Sequence, residues 1–182
     1  GNIQHLQPSP AQTLHLDHCE LWINPFNPNH LAFGNDGGLY VSYDKGANWL
    51  HFNNIPTGEF YDITLDNQKP YNIYGGVQDN ATVYGPAKEW NPHGHDPWKY
   101  LWIDAWSGGD GCVTQVDPED SNTVYFSRQH GDGLRKDMAA DTFITISPRR
   151  KKTSKENDLR YDFVSPYFIS PHDSRTFYHG SK

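Results

Sequence analysis

One short motif, met four times, restricts more than anything else how this chain can fold. Ile23-Asn-Pro-Phe-Asn-Pro-Asn-His-Leu-Ala-Phe-Gly34, Leu65-Asp-Asn-Gln-Lys-Pro-Tyr-Asn-Ile-Tyr-Gly-Gly76, Val116-Asp-Pro-Glu-Asp-Ser-Asn-Thr-Val-Tyr-Phe-Ser127 and Ile169-Ser-Pro-His-Asp-Ser-Arg-Thr-Phe-Tyr-His-Gly180 align without gaps. Each runs from an aliphatic residue through a polar turn carrying Pro or Asn into an apolar stretch that ends on a small residue. Pro presets φ, and Asn, Asp and Ser bond their own backbone, so the middle of the motif reverses the chain. The apolar stretch after the turn reads as a strand buried on both faces.

The motifs start 42, 51 and 53 residues apart. A period of roughly 40–50 residues with strand-like content is the spacing of propeller blades. The expected architecture is all-β, a partial β-propeller of about three and a half four-stranded blades. Their approximate bounds are 12–54, 58–105, 108–148 and an incomplete 161–182. In the first, strands are expected at Leu31–Gly34, Leu39–Ser42 and Trp49–Phe52, joined by Asn35-Asp-Gly-Gly38 and Asp44-Lys-Gly46 turns. The second runs through Tyr61–Leu65, Ile73–Gly76, Ala81–Tyr84 and Tyr100–Ile103, with residues 85–99 inserted before the last strand. The third holds Cys112–Val116, Val124–Ser127, a segment near Leu134 and Phe143–Ile146, and the fourth opens with Phe163–Ile169. Three and a half blades do not close a ring, so the rest of a longer propeller or a second copy is expected to complete it.

Charge narrows the partners. The formal net charge is −7, and residues 1–127 hold 4 Lys and Arg against 15 Asp and Glu. Nucleic-acid binding needs a positive footprint, so no nucleic-acid surface is expected there. The basic run Arg149, Arg150, Lys151, Lys152 and Lys155 reads as a solvated loop. No apolar stretch approaches the length of a membrane span. Cys19 and Cys112 show neither zinc spacing nor a disulfide framework, and each falls in a strand-like segment. No phosphate loop, serine elbow or dinucleotide fingerprint occurs, and no cofactor is expected.

Ser42-Tyr-Asp44-Lys-Gly46-Ala-Asn-Trp49 has the form Ser-x-Asp-x-Gly-x-x-Trp and resembles the Asp box of bacterial-neuraminidase-type repeats. Asp44 is suited to capping the turn amides, Gly46 to a positive φ and Trp49 to packing between sheets, so the box reads as structural. Several longer stretches are similar to the large bacterial propeller proteins labelled glycosyl hydrolase with BNR repeats, which are related to the sortilin propeller and to xyloglucanases. These stretches are 15–25, 34–42, 75–80, 108–111 and 165–173. The second and third blades depart from that pattern in lacking a clean Asp box. The resemblance implies a secreted, periplasmic or cell-surface protein.

Loops leading into inner strands form a propeller's mouth, which draws attention to a limited set of residues. His15, Asp17, His18 and Glu20 are the densest polar cluster. In a strand, His15 and Asp17 would face away from His18 and Glu20, which argues against one shared metal site. Tyr61, Asp62, Asp104, Tyr161 and Asp162 stand at comparable positions. They are read either as a hydrogen-bonded channel lining or as ligand contacts. Asp110 sits in Ser107-Gly-Gly-Asp-Gly111, where glycines admit a ligand or simply make a tight turn. Asp79 lies in Gln78-Asp-Asn80, a hairpin turn or a ligand contact. Trp90 and Trp98, within an aromatic and His93/His95-bearing insertion, are stacking candidates, while Trp102 reads as core.

Two functions fit. One is a binding propeller that holds a glycan, peptide or protein ligand through His15, His18, Tyr61, Asp62, Asp79, Trp90, Trp98 and Asp162. The other is a xyloglucanase-type glycoside hydrolase whose acid/base pair would come from carboxylates such as Asp110 and Asp17.

Overall fold

The four turns fold alike. In each, the second residue of the motif directs its side-chain oxygen onto the backbone N–H two residues on. Asn24 Oδ1 accepts from Phe26 at 2.9 Å and Asp66 Oδ1 from Gln68 at 3.1 Å. Asp117 Oδ1 accepts from Glu119 at 2.9 Å and Ser170 Oγ from His172 at 3.2 Å. A second such bond follows in three of them, from Asn29 to Asn27, Asn122 to Asp120 and Arg175 to Asp173, each 3.1 Å. Only a short oxygen-bearing side chain reaches its own main chain in this way. The flanking strands then close on the same pair of motif positions: Ile23 opposite Leu31, Leu65 opposite Ile73, Val116 opposite Val124, and Ile169 opposite Phe177.

The computed structural model describes residues 3–6 (backbone only), 14–52, 55, 57–88, 97–102, 109–147 and 159–181. These residues form β-sheets that are antiparallel but for one two-residue parallel pairing, with a single 3-10 turn at Gln129–Gly131 and no α-helix among them. The chain divides into two compact units, Gly1–Gly58 and Glu59–Lys182.

In the first unit, β2 (Glu20–Ile23), β3 (Leu31–Asn35), β4 (Gly38–Ser42) and β5 (Trp49–Phe52) form a meander. A strand absent from the sequence expectation, β1 (Ile3–Leu6), pairs with the outer side of β5. Phe33 stacks on Tyr40 at 5.1 Å and meets Trp49 edge-on at 4.5 Å, so this sheet's centre is aromatic.

The β4–β5 turn is held by Ser42 and Asp44. The buried Ser42 hydroxyl donates to Asp44 Oδ1 at 2.8 Å and accepts from the Gly46 N–H at 2.8 Å. Asp44 in turn accepts from the Asn48 N–H at 2.8 Å and the Asn48 amide at 2.6 Å. Hydrogen bonds from Asn48, with that of Ser42, hold the Asp44 carboxyl below its ordinary range. Both Lys45 and Gly46 take left-handed backbone, φ +61° and +88°, and the Trp49 ring lies over Gly46.

The second unit contains three sheets. β6 (Phe60–Leu65), β7 (Asn72–Val77), β8 (Asn80–Pro86) and β9 (Lys99–Trp102) form one meander. Its β8 also pairs with a short parallel strand, β10 (Gly109–Asp110). β11 (Thr114–Val116), β12 (Thr123–Arg128), β13 (Asp132–Asp137) and β14 (Thr142–Thr145) form the next, and β15 (Tyr167–Ser170) with β16 (Asp173–His179) the last.

These sheets stack by one rule. Tyr74, the residue after the turn-closing Ile73, packs with Leu101 against Val124, the turn-closing residue of the next sheet. Tyr125, the residue after Val124, meets Phe177, the turn-closing residue of the sheet after that, at 5.2 Å. Strand alternation puts successive residues on opposite faces, so each sheet offers one face backwards and the other forwards. Each fully buried aliphatic in these layers, such as Leu101 or Val124, contributes roughly 1.5–3 kcal/mol. Lys136 is buried in the same interface and is satisfied there, its ammonium donating to the Leu101 carbonyl at 3.0 Å and to Asp141 at 2.6 Å. The all-β architecture follows the sequence expectation, and most expected strands are present; β15 begins at Tyr167 rather than Phe163, β11 at Thr114 rather than Cys112, and the additions are β1 and β10.

Candidate functional site

The site grows out of the detour that makes β10. After β9 the chain re-enters the described structure at Gly109, pairs Gly109 with Asn80 and Asp110 with Ala81, and then turns into β11. Two glycines permit this approach. A Cβ on Gly111 would stand 2.1 Å from the Ala81 carbonyl oxygen, and one on Gly76 would stand 2.1 Å from that of Cys112. No side chain fits at such distances, so the backbone of 109–112 lies directly against the β7–β8 hairpin.

That placement buries Asp110, which is 4% exposed. Its Oδ1 accepts from the Tyr61 hydroxyl at 3.1 Å and the Asp79 N–H at 3.3 Å, and its Oδ2 accepts from the Gln129 amide at 2.5 Å. Both oxygens are therefore engaged by donors from three separate segments. Burial, with the Asp110 charge beside it, pushes the Tyr61 hydroxyl up to about 12. The same two causes push the Cys112 thiol up to about 12. Neighbouring sheets are joined in the same manner: Asp62 on β6 accepts from the Thr114 N–H on β11 at 3.2 Å, and the Tyr167 hydroxyl on β15 donates to the Val113 carbonyl at 2.6 Å.

Next to this node lies a cavity of about 400 Å³, lined by Trp102, Gly109, Arg128, Gln129, His130, Asp132 and Phe163. The turn after β12 shapes it. His130 and Gly131 are both left-handed, φ +59° and +71°, an unusual conformation for a residue with a side chain. The His130 N–H donates to the Phe163 carbonyl at 3.0 Å, and its ring meets that of Phe163 edge-on at 5.5 Å. On the opposite side, the Arg128 guanidinium lies 4.6 Å over the Trp102 ring and is ion-paired with Asp132. Arg128 Nε is buried without a hydrogen-bond partner among the described residues. Gln129 joins the cavity to the node through Asp110. Two aromatic rings, a guanidinium, a carboxylate, an imidazole and an amide around one opening suit a ligand with both apolar faces and hydroxyls.

Of the residues singled out in the sequence, Asp110, Tyr61 and Asp79 come together at one point, and Asp62 lies one strand pairing away. The expectation for 15–20 is corrected. Residues 14–19 are not a strand, because Asp17 takes φ +55° and breaks the extended run, so the alternation argued for His15, Asp17 and His18 does not hold. His15 and His18 instead converge on Asn35, whose amide donates to the His15 carbonyl at 2.8 Å and lies 3.4 Å from His18 Nδ1. Asp17 and Cys19 are exposed, and Cys19 precedes the strand, whereas Cys112 is buried; both thiols are free. Trp98 covers Gly85 on β8 and is partly exposed. Asp162 is exposed, and its carbonyl accepts from the Ser165 hydroxyl at 2.9 Å. Trp90, His93, His95, Asp104 and Trp106 lie outside the described residues.

Arg128, Gln129, His130, Asp132 and Phe163 were not legible as site residues. Arg128 to Asp132 link β12 to β13 in an ordinary-looking hairpin in which Gly131 is the one local sign of unusual backbone, and Phe163 lies in the segment before β15. Trp102, read as core, lines the cavity instead. Among the described residues no group of three or more His, Cys, Asp or Glu is arranged to hold a metal ion. No family model matches the chain, and no curated protein matches it.

Proposed function

We propose that this chain is part of an Asp-box β-propeller that binds a glycan in the cavity between Trp102 and Phe163. The observation that carries this reading is the lining itself, in which aromatic rings flank Arg128, Asp132, Gln129 and His130. Sugar rings present an apolar face for stacking and hydroxyls around their rim, which this set of groups complements. The propeller half rests on the four identical turn registers and on the stacking rule in Glu59–Lys182. The Asp-box half is supported by the bonds of Ser42, Asp44 and Gly46 that close their turn and by the Trp49 ring over Gly46. An extracellular setting and kinship with BNR-repeat and sortilin propellers belong to the same proposal and rest on the sequence resemblance.

Binding is favoured over hydrolysis by how the described carboxylates are used. Asp110 accepts three hydrogen bonds, and Asp132 is paired with Arg128. A glycosidase acid or base must be available to the scissile oxygen or to water.

The test is calorimetric titration of the chain with neutral oligosaccharides, cello-oligosaccharide and xyloglucan heptasaccharide, in parallel with Trp102→Ala. Saturable binding that the substitution weakens at least tenfold is expected. Absence of binding to both sugars, or binding indifferent to Trp102, overturns the reading. Release of reducing sugar on prolonged incubation would replace it with hydrolysis.

A further inference from the structure

Gln129 opens the 3-10 turn between β12 and β13, and its main chain is held there because its carbonyl accepts from the Asp132 N–H. Its side chain stands between two surroundings. Nε2 donates to Asp110 Oδ2 at 2.5 Å, and the same residue lines the cavity beside Trp102, Arg128 and Phe163. An amide is oriented by its partners, and a carboxylate accepts on both oxygens and donates on neither. Asp110 therefore admits only the Nε2 edge of Gln129. Oε1 is left as the other polar end of that amide, and none of the described residues donates to it. Asp110 is itself pinned. Its Oδ1 takes the Tyr61 hydroxyl at 3.1 Å and the Asp79 main-chain N–H at 3.3 Å, and the second of these donors has no other role open to it.

We propose that Asp110 locks the Gln129 amide with Oε1 towards the cavity, which makes Gln129 the residue that selects ligands carrying a hydrogen-bond donor, such as a sugar hydroxyl, over isosteres that can only accept. Asp110 does not line the cavity, so it is a positioning residue that acts through Gln129. An acceptor-only group set against Oε1 has no hydrogen to share with it, and both are left unpaired away from water. The lock also predicts its own inversion. Asp110→Asn keeps the shape of the side chain and gives it one donating end. The Asp79 N–H requires the new carbonyl oxygen at the Oδ1 position, which sets the new NH2 against Gln129. Gln129 then turns its amide over, with Oε1 on that NH2 and Nε2 towards the cavity. The selection rests on the glycan reading proposed above, whereas the lock does not depend on any ligand.

The test uses the full chain with Asp110→Asn and Gln129→Met, each first shown to melt cooperatively. In nuclear magnetic resonance without ligand, the Gln129 side-chain amide protons, assigned from their absence in Gln129→Met, should exchange slowly with solvent. That protection should be lost in Asp110→Asn. Calorimetric titration with methyl β-cellobioside and its monodeoxyfluoro derivatives then reads the selection, since fluorine replaces one hydroxyl at a time and cannot donate. At one position the replacement should cost the unaltered chain about three- to tenfold in affinity. In both variants that penalty should shrink to about twofold or less, because Oε1 no longer faces the ligand. Equal amide exchange in the unaltered chain and in Asp110→Asn overturns the lock. A penalty that survives unchanged in the variants, or that no position shows in the unaltered chain, overturns the selection. If the cellobioside itself does not bind, the glycan reading fails with it, and the amide exchange still decides whether Asp110 holds Gln129 in this orientation.

Discussion

Arg128 lies with its guanidinium carbon 4.6 Å above the ring of Trp102, and the same guanidinium is ion-paired with Asp132. One planar cation is thus held between an aromatic face and a carboxylate. Lysine reproduces the charge but not the plane, the fork or the stack. Arg128→Lys is therefore expected to weaken cello-oligosaccharide or xyloglucan-heptasaccharide binding severalfold, and Arg128→Ala by tenfold or more. A cation–π contact of this kind contributes about 0.5–2 kcal/mol. Paired calorimetric titrations of the two variants check the order.

Tyr61 and Asp110 supply a spectroscopic prediction. With the folded Tyr61 near 12 and an unfolded tyrosine near about 10, its folded value is raised. The stability it contributes is fully present below about pH 10 and is lost as pH rises towards 12. Asp110→Asn removes the neighbouring charge while leaving burial, the first cause, in place. Tyr61 should then ionise at a lower pH, though still above an ordinary tyrosine, in an ultraviolet titration corrected with Tyr61→Phe.

Ser42 is buried and serves three hydrogen bonds in the β4–β5 turn. Ser42→Ala leaves the Gly46 N–H without its acceptor and should destabilise by about 1–3 kcal/mol in chemical denaturation. Asp44, Asp120 and Asp173 all have carboxyls lowered by hydrogen bonds, first from Asn48, Thr123 and Arg175 respectively. Groups lowered in this sense contribute stability above their unfolded value, near about 4, and lose it as pH falls through the folded one. Melting temperature should fall below about pH 4, and less steeply in Asp44→Asn.

Gly111→Ala should prevent native packing of 109–112, since its Cβ would meet the Ala81 backbone at 2.1 Å. A clash with main chain has no flexible neighbour to absorb it, so the cost is expected to exceed the about 1–3 kcal/mol of ordinary overpacking. Gly34→Ala, with nothing near its Cβ, is the matched control in the same thermal melt.

The two thiols should react at very different rates. Cys19 is exposed, while Cys112 is buried with its thiol held up to about 12. A chromogenic disulfide reagent should titrate one thiol quickly and the second only after denaturant is added. Equal rates would contradict the burial of Cys112.

What could be seen in the sequence was what local chemistry decides. The motif turns are written in side chains that bond their own backbone, and so the strands on either side fell into place. The Ser42–Trp49 turn was legible for the same reason. What could not be seen was decided at a distance or by backbone sign. Asp17 looks like any strand residue until its φ is positive, and β10 pairs with a strand more than two dozen residues earlier. Trp102 reads as core because nothing in the sequence announces Arg128 above it. The cavity depends on His130 taking a left-handed conformation that only Gly131 hints at.

The four motif turns have a consequence for how the protein is made. Each closes on bonds between residues a few positions apart, such as Phe26 to Asn24 or Asn122 to Asp120. Contacts so near in sequence lose little loop-closure entropy and form quickly. A hairpin of this kind can be complete as it leaves the ribosome, before the strands that will cover it have been synthesised. Assembly then becomes the sequential docking of ready-made hairpins, with the apolar face of the newest one exposed until its successor arrives.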